Sequence, residues 1–162
     1  AKALTAEFAD IEAYAFVGAK TAKALPFEGH MDQVSEQLGF CIPAFAAFGI
    51  EAAVATDDGS AGFNGVVTDL LVQWLENHHE RQSKETIIYA CGPEPMLAGV
   101  AKLAKDKQID CQVSMERRMA CGIGLCQSCA IQCKPPKGGE PIYRLCCQDG
   151  PVFDAQEVVW DV

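Results

Sequence analysis

The stretch CGIGLCQSC, residues 121–129, sets three cysteines on one short loop and constrains the chain more than any other feature. Cys121, Cys126 and Cys129 have the spacing C-x4-C-x2-C. Gly122 and Gly124 give that backbone conformations closed to other residues, so several thiols can turn inward at once. The chain has 162 residues and nine cysteines, an odd number that rules out complete internal pairing. No charged-then-apolar leader opens it, and no apolar run reaches the length of a membrane span. These features predict a cytoplasmic chain whose thiols serve a metal rather than a disulfide framework. Hydrophobic residues make up 49% and charged residues 22%, enough for a packed core and against disorder. A net charge of -9 argues against nucleic acid or an anionic membrane as partner.

The spacing is that of plant-type 2Fe–2S ferredoxins, whose fourth cysteine lies further along the chain. Zinc sites usually pair two short C-x2-4-C hooks, and only one is visible here. A single buried free cysteine is common, but three within nine positions are not explained that way. Cys133, Cys146 and Cys147 are the candidates for a fourth ligand. Cys133 sits on a segment leaving the loop, whereas Cys146 and Cys147 follow PIYRL, a strand that can return to it. Neighbours on a strand face opposite ways, so one of those two can reach the site and spacing does not choose which. Arg117, Arg118, Lys134, Lys137 and Arg144 lie near these cysteines in sequence. Such cations are either solubilising surface or an offset for the charge a cluster gains on reduction.

Upstream, strands alternate with helices, which predicts β-α-β units and a parallel sheet. AKALTAEFAD reads as the tail of an amphipathic helix and IEAYAFVGA as a strand closed by Gly18. HMDQVSEQLG is a polar helix candidate, and in FCIPAFAAFG Pro43 argues against a regular helix. IEAAVATDDGS is a strand running into an acidic turn. VVTDLLVQWLENHHE is a helix with Val67, Leu70, Leu71, Trp74 and Leu75 on one face. ETIIYA is a buried strand, followed by CGPEPMLAGVAKLAKDKQ, a turn and a helix with Pro95 in its first turn. From residue 110 onward short loops, glycines and cysteines take over, with KPPKGG at 134–139 as a hairpin-like connection. The expected division is 1–109 and 110–162. His78 and His79 point about a hundred degrees apart on a helix and receive no role.

SMERRMACGIGLCQSC followed by YRLCCQDGPVF resembles the C-terminal part of the electron-transfer subunit of class B dihydroorotate dehydrogenase. The resemblance continues upstream through ATDDGSAGFNGVVTDLL and YACGPEPMLAGV, and covers roughly residues 50 to 160. Its register, a cysteine followed by one residue and then Asp-Gly-Pro-Val-Phe, implies Cys147 as the fourth ligand of a 2Fe–2S cluster. Cys146 would then pack as a small apolar residue, and Val152 and Phe153 would shield the cluster from water. The implied fold is α/β, a truncated ferredoxin-reductase-type nucleotide domain ahead of a small cysteine-rich α+β cluster domain. In that domain Cys91 and Gly92 would lie beside a nicotinamide ring, with Pro93 opening a helix toward negative groups. Asp57 and Asp58, with Gly59 in the same turn, are candidates to hold ribose hydroxyls, making NAD a candidate cofactor.

The family also has an N-terminal FAD-binding β-barrel with an Arg-x-Tyr-Ser/Thr type motif, and a glycine-rich turn after the first nucleotide-domain strand. Neither is found in this sequence, so the expectation is a piece of a longer polypeptide, in preference to a shortened relative that has lost flavin and nucleotide binding, and in either case a chain that does not itself bind FAD. The implied partner is a flavin-containing catalytic subunit. Electrons from dihydroorotate would pass through its FMN to the cluster, then to FAD and NAD. A second expectation is the small subunit of an electron-bifurcating NADH-dependent ferredoxin:NADP oxidoreductase or related sulfide dehydrogenase. Those carry aspartate at the first ligand position and Asp-Gly-Pro-Glu-Phe later, where this chain has Cys121 and DGPVF. A third is a non-enzymatic zinc-binding module.

Overall fold

The structure, a computed structural model, describes residues 11–25, 27, 42–78, 86–135 and 138–161. The expected helices at AKALTAEFAD and HMDQVSEQLG lie outside these residues, as do Cys41, His79 and Lys137. Two compact units divide between Asn77 and His78. No helix of the described residues is long and apolar enough to cross a membrane.

The first unit is a parallel sheet in the order β1-β2-β3: Tyr14–Ala19, Glu51–Thr56 and Phe63–Asn64. Five consecutive residues of β2 are buried, as expected of a central parallel strand covered on both faces. On one face Ala15 and Val17 join Ile42, Ala52, Val54 and Phe45 in a core cluster. Phe45 belongs to α1, a single helical turn at Pro43–Ala46. Pro43 therefore starts a helix rather than forbidding one, because its missing N–H lies where no partner is needed. On the other face Tyr14 and Phe16 pack on Trp74 of α2 (Val67–Asn77), with ring centroids 4.7 and 5.6 Å apart. Leu71, Trp74 and Leu75 form the buried stripe of α2. Beyond β2 the chain turns through Asp57–Ser60, and buried Thr56 closes that turn. Its Oγ1 donates to Ala61 O at 2.7 Å and accepts the Ala61 N–H at 2.9 Å.

The second unit begins with β4 (Ile87–Cys91), α3 (Glu94–Lys107) and β5 (Asp110–Ser114), a β-α-β unit whose strands pair in parallel. Leu97, Val100, Ala101 and Ala104 recur at helical spacing and are the buried residues of α3. Asp110–Ser114 is thus a strand, with Cys111 and Val113 buried and Gln112 exposed between them. The β4–β5 pairing spans the 109/110 step at which the sequence divides in composition. β8 (Val152–Asp154) runs antiparallel to β5. β6 (Ala130–Cys133) and β7 (Ile142–Leu145) form the antiparallel hairpin expected around KPPKGG. The C-terminal tail follows β6, through a Cys133–Val158 bridge and hydrogen bonds from Lys134 N to Glu157 O and Val159 N to Gln132 O.

Gly18 illustrates how closely the first unit packs. A Cβ built there would stand 2.8 Å from the Cβ of Val67, the first residue of α2. That neighbour is not the free end of a flexible chain, so Gly18→Ala must push helix and strand apart. The expected cost is about 1–3 kcal/mol, measured as a lower urea midpoint at unchanged denaturant slope.

Candidate functional site

The cysteine loop leaves β5 through Met115–Ala120 and returns into β6 at Ala130. Gly122 and Gly124 both hold positive φ, 68° and 82°, which is the freedom the loop needs to fold back on itself. Inside it Cys126 N–H donates to Cys121 Sγ at 3.4 Å. Cys126 Sγ lies 3.1 Å from Ser128 Oγ, which in turn reaches Arg118 O at 3.2 Å. These contacts make the first pair of thiols, Cys121 with Cys126.

The second pair spans the hairpin. Cys146 N–H donates to Cys129 O at 3.1 Å, continuing the β6–β7 ladder into the turn that follows. That turn is tight: Asp149 Oδ2 accepts the Leu145 N–H at 2.7 Å, and Leu145 O accepts Gln148 N–H and Asp149 N–H at 3.0 and 2.7 Å. Gly150 has no room for a side chain, since a Cβ there would run into the Phe153 ring. The turn buries Cys146, 1% exposed, and leaves Cys147 partly open, with Cys129 the first of the groups that raise its thiol. Phe153 is buried, but Val152 is 48% exposed and pairs with Ser114, so Val152 gives no shield against water. A short strand at the sheet edge alternates its faces, and Val152 falls on the outer one.

The thiols titrate in opposite directions. The Ser128 hydroxyl and then its backbone N–H, with help from Cys121, lower Cys126 to about 6. The adjoining Cys129 thiol and desolvation raise Cys147, opposed by the backbone N–H of Gly124. Burial raises Cys133 and Cys146, and raises Cys111, beside Asp154, to about 11. Among the described residues no three His, Cys, Asp or Glu side chains gather around one metal ion. The donor set is two adjacent pairs of thiols, which fits a group with two metal centres better than a single ion.

Of the nearby cations, Arg117 pairs with Glu94 at 3.0 Å and Arg144 with Glu157 at 2.9 Å. Lys134 Nζ donates to Gln156 O at 3.1 Å. Arg117 and Arg144 still act on nearby thiols, opposing the burial that raises Cys146 and Cys133 respectively. The Cys91-Gly92-Pro93 turn ends β4 and borders a recess of about 160 Å³ walled opposite by Met115–Arg117. Glu94, in the first turn of α3, already faces that helix's N-terminus together with its partner Arg117. Asp57, Asp58 and Gly59 occupy the turn after β2 in the first unit, where Asp58 accepts Ser60 N–H at 3.0 Å and its hydroxyl at 2.5 Å. The Ser60 contacts hold the exposed Asp58 carboxyl below its usual range. Ser128 and Gln148 lie between the motif cysteines and other motif residues, and no residue pattern singles them out.

In the cluster-free chain Cys126 is expected to alkylate with a midpoint near pH 6, because its hydrogen bonds favour the thiolate. Ser128→Ala removes the first of those bonds and should move the midpoint upward. Iodoacetamide labelling against pH, read by peptide mass, checks both values; equal midpoints in the two proteins would refute the assignment.

Residues 116–159 match the family described as the iron–sulfur cluster binding domain of dihydroorotate dehydrogenase B. The electron transfer subunit of dihydroorotate dehydrogenase B (NAD(+)) from a Geobacillus species is 45% identical over 115 residues, 71% of this chain and 40% of that protein. The same subunit from Caldanaerobacter subterraneus is 37% identical over 121 residues, 75% of this chain and 45% of the relative. A probable one from Methanopyrus kandleri is 35% identical over 142 residues, 88% and 44%. The chain therefore spans less than half the length of these relatives. Among solved structures, one described as NADH-dependent reduced ferredoxin-NADP oxidoreductase, studied for flavin-based electron bifurcation, superposes with a TM-score of 0.65. It is 27% identical, over 93% of this chain and 45% of that one. Residues 116–159 thus match the iron–sulfur cluster binding domain of dihydroorotate dehydrogenase B, and the chain that carries them is similar to part of that enzyme's electron transfer subunit.

Proposed function

We propose that the chain is an electron-transfer module in which Cys121, Cys126, Cys129 and Cys147 ligate a 2Fe–2S cluster. The observation that carries this reading is the grouping of the four thiols as Cys121 with Cys126 and Cys129 with Cys147. Each iron of such a cluster takes two thiolates, whereas one zinc ion needs four donors around a single point. When bound, the cluster supplies a centre that accepts and returns one electron at a time. The chain's residues supply the thiolates, amide and hydroxyl donors to the sulfurs, and a low-polarity floor formed by Cys129, Ile131 and Cys146. Ile123 and Leu125 stand 62% and 78% exposed on the same loop, an apolar rim suited to close approach by a partner.

The wider role follows from the relatives. Electrons released by dihydroorotate oxidation in a flavin-containing catalytic subunit enter at the cysteine loop and leave toward a nicotinamide cofactor, in support of pyrimidine biosynthesis. Residues 1–109 serve the nucleotide side of that path and residues 110–162 the cluster. The Cys91-Gly92-Pro93 turn is offered to the nicotinamide end, and Asp57, Asp58 and Gly59 to ribose hydroxyls. FAD is not assigned to these residues. The redox chemistry stays with the cofactors, so the chain needs no general acid, base or nucleophile of its own.

Purified without oxygen, the chain should hold two irons and two sulfides, with the visible colour and reduced-state paramagnetic signal of a 2Fe–2S centre. Cys147→Ser should bleach it, as should Ser at position 121, 126 or 129, because hydroxyl oxygen is a poorer iron ligand than thiolate. Cys146→Val should keep its iron at a cost within about 1 kcal/mol, as a near-isosteric core exchange. Colourless protein carrying stoichiometric zinc would exclude the proposal, and loss of iron from the Cys146 variant alone would reverse the register.

The bifurcating oxidoreductase is a second reading, favoured by the structural neighbour alone. Mixed with a catalytic dihydroorotate dehydrogenase subunit, the loaded chain should be reduced by dihydroorotate, seen as bleaching of the visible bands. Reduction by reduced ferredoxin and NADPH, with none from dihydroorotate, would favour the second reading.

A further inference from the structure

The peptide between Ile123 and Gly124 is engaged from both of its ends. Its carbonyl accepts a hydrogen bond from Gln148 Nε2 at 3.1 Å. Its N–H belongs to Gly124, whose backbone favours the Cys147 thiolate against the groups that raise it. The Gln148 amide also fills the space in which a Cβ at residue 124 would stand, with its carbon 2.5 Å and its nitrogen and oxygen 2.6 Å from that position. Gln148 is itself held, since its backbone N–H donates to Leu145 O at 3.0 Å in the turn that presents Cys147. One residue therefore touches both sides of the site: the glycine loop through its side chain, and Cys147 through the chain.

We propose that Gln148 is a positioning residue for the cluster, whose amide holds the Ile123–Gly124 peptide in the orientation that turns the Gly124 N–H onto Cys147. The inference rests on the assignment of Cys147 as a ligand. A peptide plane at positive φ has no helix or sheet ladder to fix it, so its orientation depends on whatever grips its oxygen. Gripping the carbonyl also polarises the peptide and strengthens the N–H at its other end as a donor. A donor on a ligating thiolate stabilises the added charge of the reduced cluster and raises its potential. Neither family spacing nor composition marks Gln148, which stands at the unconstrained place between Cys147 and Asp149.

The test compares the cluster-bearing wild type with Gln148→Met and Gln148→Ala, prepared side by side without oxygen. Methionine keeps bulk beside Gly124 but has no N–H to give. Both variants should bind two irons, show a more negative midpoint potential, and lose iron to a chelator about tenfold faster. Gly124→Ala should accelerate iron loss less in the Gln148→Ala background than in wild type, because the space its methyl needs is already vacated. A residue that merely supports the fold would lower the unfolding midpoint of the cluster-free chain and leave the potential alone; that result would overturn the proposal. So would a fully loaded Gln148→Met with wild-type potential and iron-release rate, while leaving the ligand assignment intact. A wild type that takes up no iron would remove the ligand assignment and this role together.

Discussion

The site depends on the antiparallel closure of β7 against β6, extended by the hydrogen bond from Cys146 N–H to Cys129 O. Cys129 ends the glycine loop and Cys147 follows a strand well beyond it, so nothing local brings their thiols together. The hairpin does so, and the entropy of closing the intervening segment is offset by burial of Ile131, Cys133, Cys146 and Val158. The tail at Glu157–Val159 covers the C-terminal end of the other edge of β6 through one bridge and two backbone hydrogen bonds. A site assembled this way is only as well defined as the register of the hairpin. A slip by one residue would turn Cys146 toward the loop and bury Cys147.

The same hairpin sorts the cysteines by chemistry. Thiols that point into the core are held neutral by burial, as with Cys111, Cys133 and Cys146. Cys126 lies among hydroxyl and amide donors instead and is driven toward the thiolate. Metals take thiolates, so the donors around Cys126 favour the form a metal needs, whereas burial of Cys111, Cys133 and Cys146 opposes it. Cys147 stands between these cases. It is raised by the thiol of Cys129, a condition that holds only while neither sulfur carries a metal, and the Gly124 N–H already works in the other direction.

The two turns proposed for the nucleotide are simpler in origin. Both follow the carboxyl end of a parallel strand in their own unit, Asp57–Gly59 after β2 and Cys91–Pro93 after β4. Each is anchored by its own contacts: Thr56 and Ser60 around the first, Glu94 with Arg117 beside the second. The Arg117–Glu94 pair links the start of α3 to the segment that leads into the cysteine loop, so the recess and the loop share a wall within the second unit.

Sequence alone was enough for whatever depends on spacing or period. The apolar stripe of Val67–Asn77, the β-α-β run through Glu94–Lys107 and the hairpin around residues 134–139 follow from local rules and form as expected, except that ETIIYA, expected as a buried strand, leaves Ile87 and Tyr89 exposed. Three matters waited for the tertiary structure. Asp110–Ser114 is a strand because β4 offers it a parallel partner, which its own composition does not reveal. Pro43 opens a helical turn because Phe45 has a core to enter. Cys146 and Cys147 differ because the turn after β7 gives one a buried place and the other a thiol neighbour, and adjacent identical residues carry no sign of that in sequence. Gln148 and Ser128 were hidden because the hydrogen bonds from Gln148 to Ile123 O and from Ser128 to Arg118 O are made by distance in space, which a single residue in the sequence does not announce.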